Sequence, residues 1–236
     1  KNIFGYFVIP QFVNRLSNLD GLSDWPQLTQ LRIPNCSELM DLSGLLNMEN
    51  LSLLNLSGCK SLENLKVLES VESITELYLL NCESLSTLDG ISRLQKLSKL
   101  ELATCKSLEN VDALSGLASL RSLNLAGCSS LTTIQCINDL ASLEELTLSY
   151  CTSLQTLNGL SGMLNLAILN LVGCSSLSEV NELNHLLNLR NLDLHSCTSL
   201  TSLSGIENCR NLESLNLLEC YYLKDLEPLK SLKKLR

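Results

Sequence analysis

The aliphatic residues of this chain fall into one pattern that repeats every 23 positions without a gap. With Leu120 as position 1 of the stretch LRSLNLAGCSSLTTIQCINDLASL, aliphatics occupy positions 1, 4, 6, 12, 15, 18 and 21, and Cys128 takes position 9. The template recurs in units beginning at Leu28, Leu51, Ile74, Leu97, Leu120, Leu143, Leu166, Leu189 and Leu212. Position 12 is leucine in all nine units, and position 9 is Cys36, Cys59, Cys82, Cys105, Cys128, Cys151, Cys174, Cys197 and Cys220 in turn. A period this regular defines a solenoid, in which each unit buries its apolar face only by stacking on the next.

Within a unit, positions 3 to 7 alternate between polar or variable residues and leucine. This period of two predicts a short strand with one face buried. Nine such strands at a constant offset make a parallel sheet. A turn follows the cysteine, and serine occupies position 11 in seven of the nine units. Its hydroxyl is expected to bond the backbone where the chain bends. Position 16 is rich in Asp, Asn and Ser, as in Asp20, Ser43, Asp89, Asp112, Asn158, Asn181 and Ser204. This predicts a helix N-cap there, followed by one helical or 3₁₀ turn over the apolar positions 18 and 21.

The pattern divides the chain into three parts. Residues 1–27 form a degenerate N-terminal half repeat or cap, with Leu16, Leu19, Leu22 and Trp25 at positions 12, 15, 18 and 21. Val8 and Pro10 are expected at positions 4 and 6 of that unit, and Val13 in place of the cysteine. Residues 28–234 are the nine repeats, and 235–236 begin a tenth. With Lys1 at one end and a started unit at the other, the sequence is expected to be a piece of a longer chain.

The phrase LxxLxLxxCxxL, seen in full from Leu120 to Leu131, resembles the leucine-rich repeat. The resemblance covers nearly the whole chain. It implies an α/β fold, a right-handed solenoid with a concave parallel β-sheet and short 3₁₀ or helical turns on the convex side. It also implies that the position-9 cysteines form a buried ladder that bonds the backbone of the turn. The cadence of LNLAGCSSL and LNLVGCSSL is similar to plant nucleotide-binding immune receptors. The unvarying period is more similar to trypanosome leucine-rich proteins, some of them labelled adenylate cyclase regulators.

Composition narrows the function. The net charge of −8 disfavours nucleic acid or an anionic membrane, both of which need a basic face. No apolar run reaches the roughly 18 residues of a membrane span. The eleven cysteines contain no CxxC pair and have no zinc-site spacing. Reduced, inward thiols predict an intracellular compartment, cytoplasm or nucleus. Against this, the sequons at Asn35, Asn50 and Asn55 match glycosylation acceptors, as expected by chance in a chain rich in Asn and Ser.

No catalytic, cofactor-binding or metal-binding residues are predicted. His185 falls on the outer side of its unit. His195 lies near Asp193 on one strand, but no nucleophile accompanies the pair and Cys197 points inward. The candidate site is instead the exposed strand face at positions 3, 5 and 7. Leu53, Tyr78 and Leu80, bordered by Glu76, Lys99 and Glu101, form one candidate partner-binding spot. Ile168 and Val172, flanked by Glu145, Thr147, Asp193 and His195, form a second. An aromatic with aliphatics and a charged rim suits a protein or peptide partner. The expected role is a protein-interaction scaffold in a larger intracellular regulatory protein. The alternatives are a ligand-sensing region of an immune or surface receptor, and a regulatory subunit that activates a cyclase or another enzyme.

Overall fold

The computed structural model describes residues 6–8, 15–22 and 24–236. Ten three-residue strands make one open parallel sheet in sequence order. They are β1 (Tyr6–Val8), β2 (Gln30–Arg32), β3 (Leu53–Asn55), β4 (Glu76–Tyr78), β5 (Lys99–Glu101), β6 (Ser122–Asn124), β7 (Glu145–Thr147), β8 (Ile168–Asn170), β9 (Asn191–Asp193) and β10 (Ser214–Asn216). From β2 onward every strand pairs with the next at an offset of 23 residues, as in Leu100 beside Leu123. The strand proper covers positions 3 to 5, but the ladder runs on. Position 6 donates its N–H to position 5 of the next coil, as Leu102 does to Asn124, and position 8 donates to position 7, as Thr104 does to Ala126.

The aliphatic template is the core. In the middle coils its residues are wholly buried, for example Leu97, Leu100, Leu102, Leu108, Val111, Leu114 and Leu117. Each such side chain buried contributes roughly 1.5–3 kcal/mol, set against roughly 1–2 kcal/mol of backbone entropy for each of a coil's residues. A single coil therefore cannot hold itself, and the interfaces between coils carry the stability.

Position 8 has a left-handed backbone in all nine coils, with φ of 63° at Asn35, 79° at Gly58, 57° at Asn81, 62° at Thr104, 71° at Gly127, 59° at Tyr150, 69° at Gly173, 58° at Ser196 and 62° at Glu219. This single reversal ends the strand and turns the next residue, the cysteine, inward. All eleven cysteines are free. The Cys105 thiol donates to the Leu79 carbonyl of the preceding coil at 3.1 Å, and Cys128 does the same to Leu102 at 3.3 Å and Cys151 to Leu125 at 3.2 Å. The pattern runs from Cys59 to Cys220. The same Leu102 carbonyl also accepts the Cys105 N–H. The ladder thus links neighbouring coils through the position-6 carbonyl, and cysteine supplies a small donor that fits an apolar interior.

Several local expectations are corrected. In the N-terminal unit Phe7, not Val8, stands opposite Leu31. Val8 points outward and is exposed. The β1–β2 offset is therefore 24 residues, and Phe7 meets Trp25 edge to face at 5.3 Å. The places expected for Pro10 and Val13 lie outside the described residues.

Position 16 is the first residue of the 3₁₀ turn rather than its cap, as at Ser43–Leu45, Asp112–Leu114 and Asn181–His185. The flanking position 15 is aliphatic and makes no capping bond. Position 14 does that work: Asp41 accepts the Ser43 N–H at 2.8 Å, Asn110 that of Asp112 at 3.3 Å and Asp225 that of Glu227 at 2.9 Å.

The 3₁₀ turn is also missing from two coils, those with Gly90 and Gly159 at position 17. There φ is +108° and +116°, which breaks the right-handed run at that residue; in the coil of Gly205, at φ +101°, the turn starts one residue later, over Ile206–Asn208. A Cβ on either glycine would collide with the carbonyl at position 15 of the preceding coil, Leu65 or Ile134. Finally, of the position-11 serines only Ser176 uses its hydroxyl as expected, donating to the Thr152 carbonyl at 2.6 Å, among the described residues.

Candidate binding face

Each strand sends position 4 into the core and positions 3 and 5 to the opposite side, so the sheet presents one outward row per position. In five coils position 5 is Asn or Asp, and its side chain is already engaged. Its Oδ1 accepts the N–H of position 7 in the same strand, at 2.9 Å from Ser57 to Asn55, 3.0 Å from Ala126 to Asn124, and 3.0 Å from Val172 to Asn170. Asp193 holds the His195 N–H at 3.0 Å and Asn216 the Leu218 N–H at 3.1 Å. The ladder leaves that N–H without a backbone partner, and the short amide or carboxylate supplies one. Sequence reasoning missed this role for Asp193, although Asn at position 5 recurs visibly in the repeats.

Where position 5 is not Asn or Asp, the face carries its larger groups. The Tyr78 hydroxyl donates to Glu76 Oε2 at 2.7 Å. Lys99 stands 5.6 Å over the Tyr78 ring and pairs with Glu101 at 3.2 Å. Glu101 in turn accepts from Asn124 Nδ2 at 2.8 Å. Glu76, Tyr78, Lys99, Glu101 and Asn124 are thus one network across β4, β5 and β6. Burial, then the hydrogen bond and charge of Glu76 and the charge of Glu101, push the Tyr78 hydroxyl up to about 12, against a small opposing pull from Arg32. At neutral pH Tyr78 is a neutral donor held in place by its neighbour.

Leu53 does not belong to this surface. It is only 6% exposed, in register between the long side chains of Gln30 and Glu76, and Leu80 beside Tyr78 is half-buried. The expected apolar spot is therefore a polar network with one aromatic ring at its centre. The second spot is more open. Ile168 and Glu145 are exposed, while Val172, Thr147, Asp193 and His195 are half-buried. His195 Nε2 lies 4.0 Å from Glu219 Oε2, and the same carboxylate accepts the Ser196 hydroxyl at 2.7 Å. His195 Nδ1 is buried with no hydrogen-bond partner among the described residues. His185 is exposed on the outer side.

Burial pushes the thiols up, to about 12 at Cys59, Cys128, Cys174, Cys197 and Cys209 and about 11 at Cys105. They are protonated at neutral pH and poor nucleophiles. Among the described residues, no group of three His, Cys, Asp or Glu is placed to hold a metal ion. No helix there is long and apolar enough to cross a membrane.

A ten-stranded parallel sheet whose coils repeat in register, with a fixed inner face and a varied outer one, is the architecture of a solenoid repeat protein. Family models agree: the BspA type leucine rich repeat region matches residues 49–169, and leucine rich repeats match residues 187–231. The chain belongs to the leucine-rich-repeat family. Among solved structures it is similar to the leucine-rich repeat domain of the type III effector XopL, with TM-score 0.72 and 23% identity over 85% of this chain and 73% of that one. Two internalins from Listeria monocytogenes also align. The first, inlF, has TM-score 0.46 and 21% identity over 92% of this chain and 75% of that one. The second, internalin C2, has TM-score 0.48 and 18% identity over 98% and 78%. No curated protein sequence matches the chain.

Proposed function

We propose that this chain is a protein-interaction scaffold that holds a partner protein on the outward face of its strands, the face expected to be concave. The observation that carries this reading is the division of labour within each coil. Core positions repeat the same chemistry in every coil, whereas positions 3 and 7, and position 5 apart from its five Asn and Asp residues, differ from coil to coil. On that face the Glu76–Tyr78–Lys99–Glu101–Asn124 network is internally bonded. Side chains fixed before binding lose little entropy on contact, and a central tyrosine ringed by charges suits a protein surface. The protonated thiols fit a reducing, intracellular setting. The unvarying 23-residue period, similar to that of trypanosome leucine-rich proteins, favours a host protein that controls an enzyme, with the scaffold binding rather than catalysing.

A phage-displayed peptide library selected on the wild-type chain tests the reading. Selected binders are then measured against Tyr78→Ala/Glu101→Lys, against Ile168→Lys, and against an outer-turn set, Glu38→Gln/Glu63→Gln/Glu109→Gln. Binders lost on one of the strand-face variants and kept by the outer-turn set support the proposal. Binders indifferent to both strand-face variants refute it.

A further inference from the structure

The two halves of the outward face differ in charge. From β2 to β5, positions 3, 5 and 7 hold Arg32 and Lys99 against Glu76 and Glu101. From β6 to β10 the same positions hold no lysine or arginine. They hold Glu145, exposed and with no ion-pair partner among the described residues, and Asp193, with Glu219 one position beyond the row in the last coil. Between these carboxylates the surface is aliphatic. Ile168 is 38% exposed and Leu218 63%, with Val172 in the same row as Leu218.

We infer that the β7–β10 half of the face takes an extended segment of a partner protein in which branched aliphatic residues alternate with lysine or arginine. This rests on the strand-face reading and adds the chemistry of what binds there. The charge on the face selects the sign of the partner. Glu145 and Asp193 have no lysine or arginine in these rows to neutralise them, and Glu219 faces only His195 there, at 4.0 Å, so an acidic segment is repelled and a basic one is steered in. The apolar side chains between them supply the area that holds it. Four strands about 4.8 Å apart span roughly 14 Å, which four or five extended residues cross. The face thus reads a short motif rather than a folded surface.

Three substitutions remove the charge while keeping the shape. Asp193→Asn recreates the side chain that already accepts the position-7 N–H in Asn170 and Asn216. Glu219→Gln keeps an acceptor for the Ser196 hydroxyl, and Glu145→Gln disturbs no bond. The probe is a fluorescein-labelled twelve-residue peptide alternating lysine, isoleucine and serine, followed by anisotropy at low and physiological salt. Companion peptides carry glutamate for lysine, or serine for isoleucine.

The wild-type chain is expected to bind the first peptide, to ignore the glutamate version and to hold the isoleucine-free one more weakly. The triple variant, with circular dichroism confirming its fold, should bind about tenfold less tightly at low salt. The outer-turn set, with the same change in net charge, should bind within about twofold of wild type. Equal loss in both sets reduces the effect to net charge and overturns the inference, as does peptide binding unchanged by the triple variant. Library binders that are lost on Ile168→Lys yet carry no basic residues sink this inference and leave the strand-face reading standing. Binders indifferent to every strand-face variant sink that reading first.

Discussion

The cysteine ladder makes this fold sensitive to alkali. Eight thiols, from Cys59 to Cys197 on the ladder together with Cys209, are wholly buried and held above their ordinary value of 9.0 chiefly by burial. A thiol whose folded value is raised stays protonated in the folded chain after it would ionise in the unfolded one. Its contribution is fully present below pH 9 and is lost as the pH climbs from 9 towards 12. At pH 10 each unfolded thiol is about nine-tenths ionised, which favours unfolding by about 1 kcal/mol per group. Eight groups give on the order of 10 kcal/mol, comparable with the whole stability of an ordinary domain, roughly 5–15 kcal/mol.

The chain should therefore unfold cooperatively near pH 10 in the presence of a reductant. The assay is urea denaturation followed by circular dichroism at half-unit steps from pH 7.5 to 10.5. Stability should be flat to about pH 8.5 and then fall at about 10 kcal/mol per pH unit, the slope counting the protons released. The double variant Cys128→Ala/Cys151→Ala should be less stable at pH 7.5, yet lose about a quarter of that slope. A stability that stays level through pH 10.5, or an unchanged slope in the double variant, refutes the reasoning.

Three further outcomes are expected. Gly159→Ala should cost about 3 kcal/mol in urea melts, because it adds left-handed strain to a collision with the Ile134 carbonyl. Gly116→Ala, at φ +80° with nothing near its Cβ direction, should cost only about 1 kcal/mol, and equal costs would mean that the close approach of coils at position 17 is unimportant. Thr104→Gly relieves a β-branched residue at φ 62° and should raise stability by about 0.5–1 kcal/mol in thermal melts. Asn170→Ala should cost about 1 kcal/mol by orphaning the Val172 N–H, while Asn170→Asp, which restores the acceptor, should recover most of it.

Much of the architecture was legible because the same constraint is written nine times. The inward positions, the parallel order and the buried cysteines follow from the period alone, since any shift would turn leucines such as Leu123 or Leu146 to solvent. Two things resisted. The first is the choice between neighbouring positions of similar chemistry. Polar residues at positions 14 and 16 both look like caps, and only the backbone shows that Asn110 holds the N–H of Asp112. The slip by one between Val8 and Phe7 has the same origin, because the first unit has no cysteine to fix its phase. The second is burial on the outward face. Leu53 reads as exposed by periodicity but is covered between longer neighbours, and Asp193 reads as a free charge but already holds a backbone N–H. Four of the five residues in the Tyr78 network were legible in the sequence; Asn124 was not, because its bond to Glu101 joins neighbouring strands 23 residues apart.

The constant offset from β2 to β10 also makes the molecule a ruler marked in whole coils. Inserting a second copy of residues 120–142 would join two phases of the same pattern and lengthen the stack by a single strand spacing, about 4.8 Å. The Tyr78 network and the acidic half of the face would move one mark apart with neither rebuilt. Duplication of a unit can therefore retune the distance between the two candidate grips in a fixed step, leaving the chemistry of each unchanged.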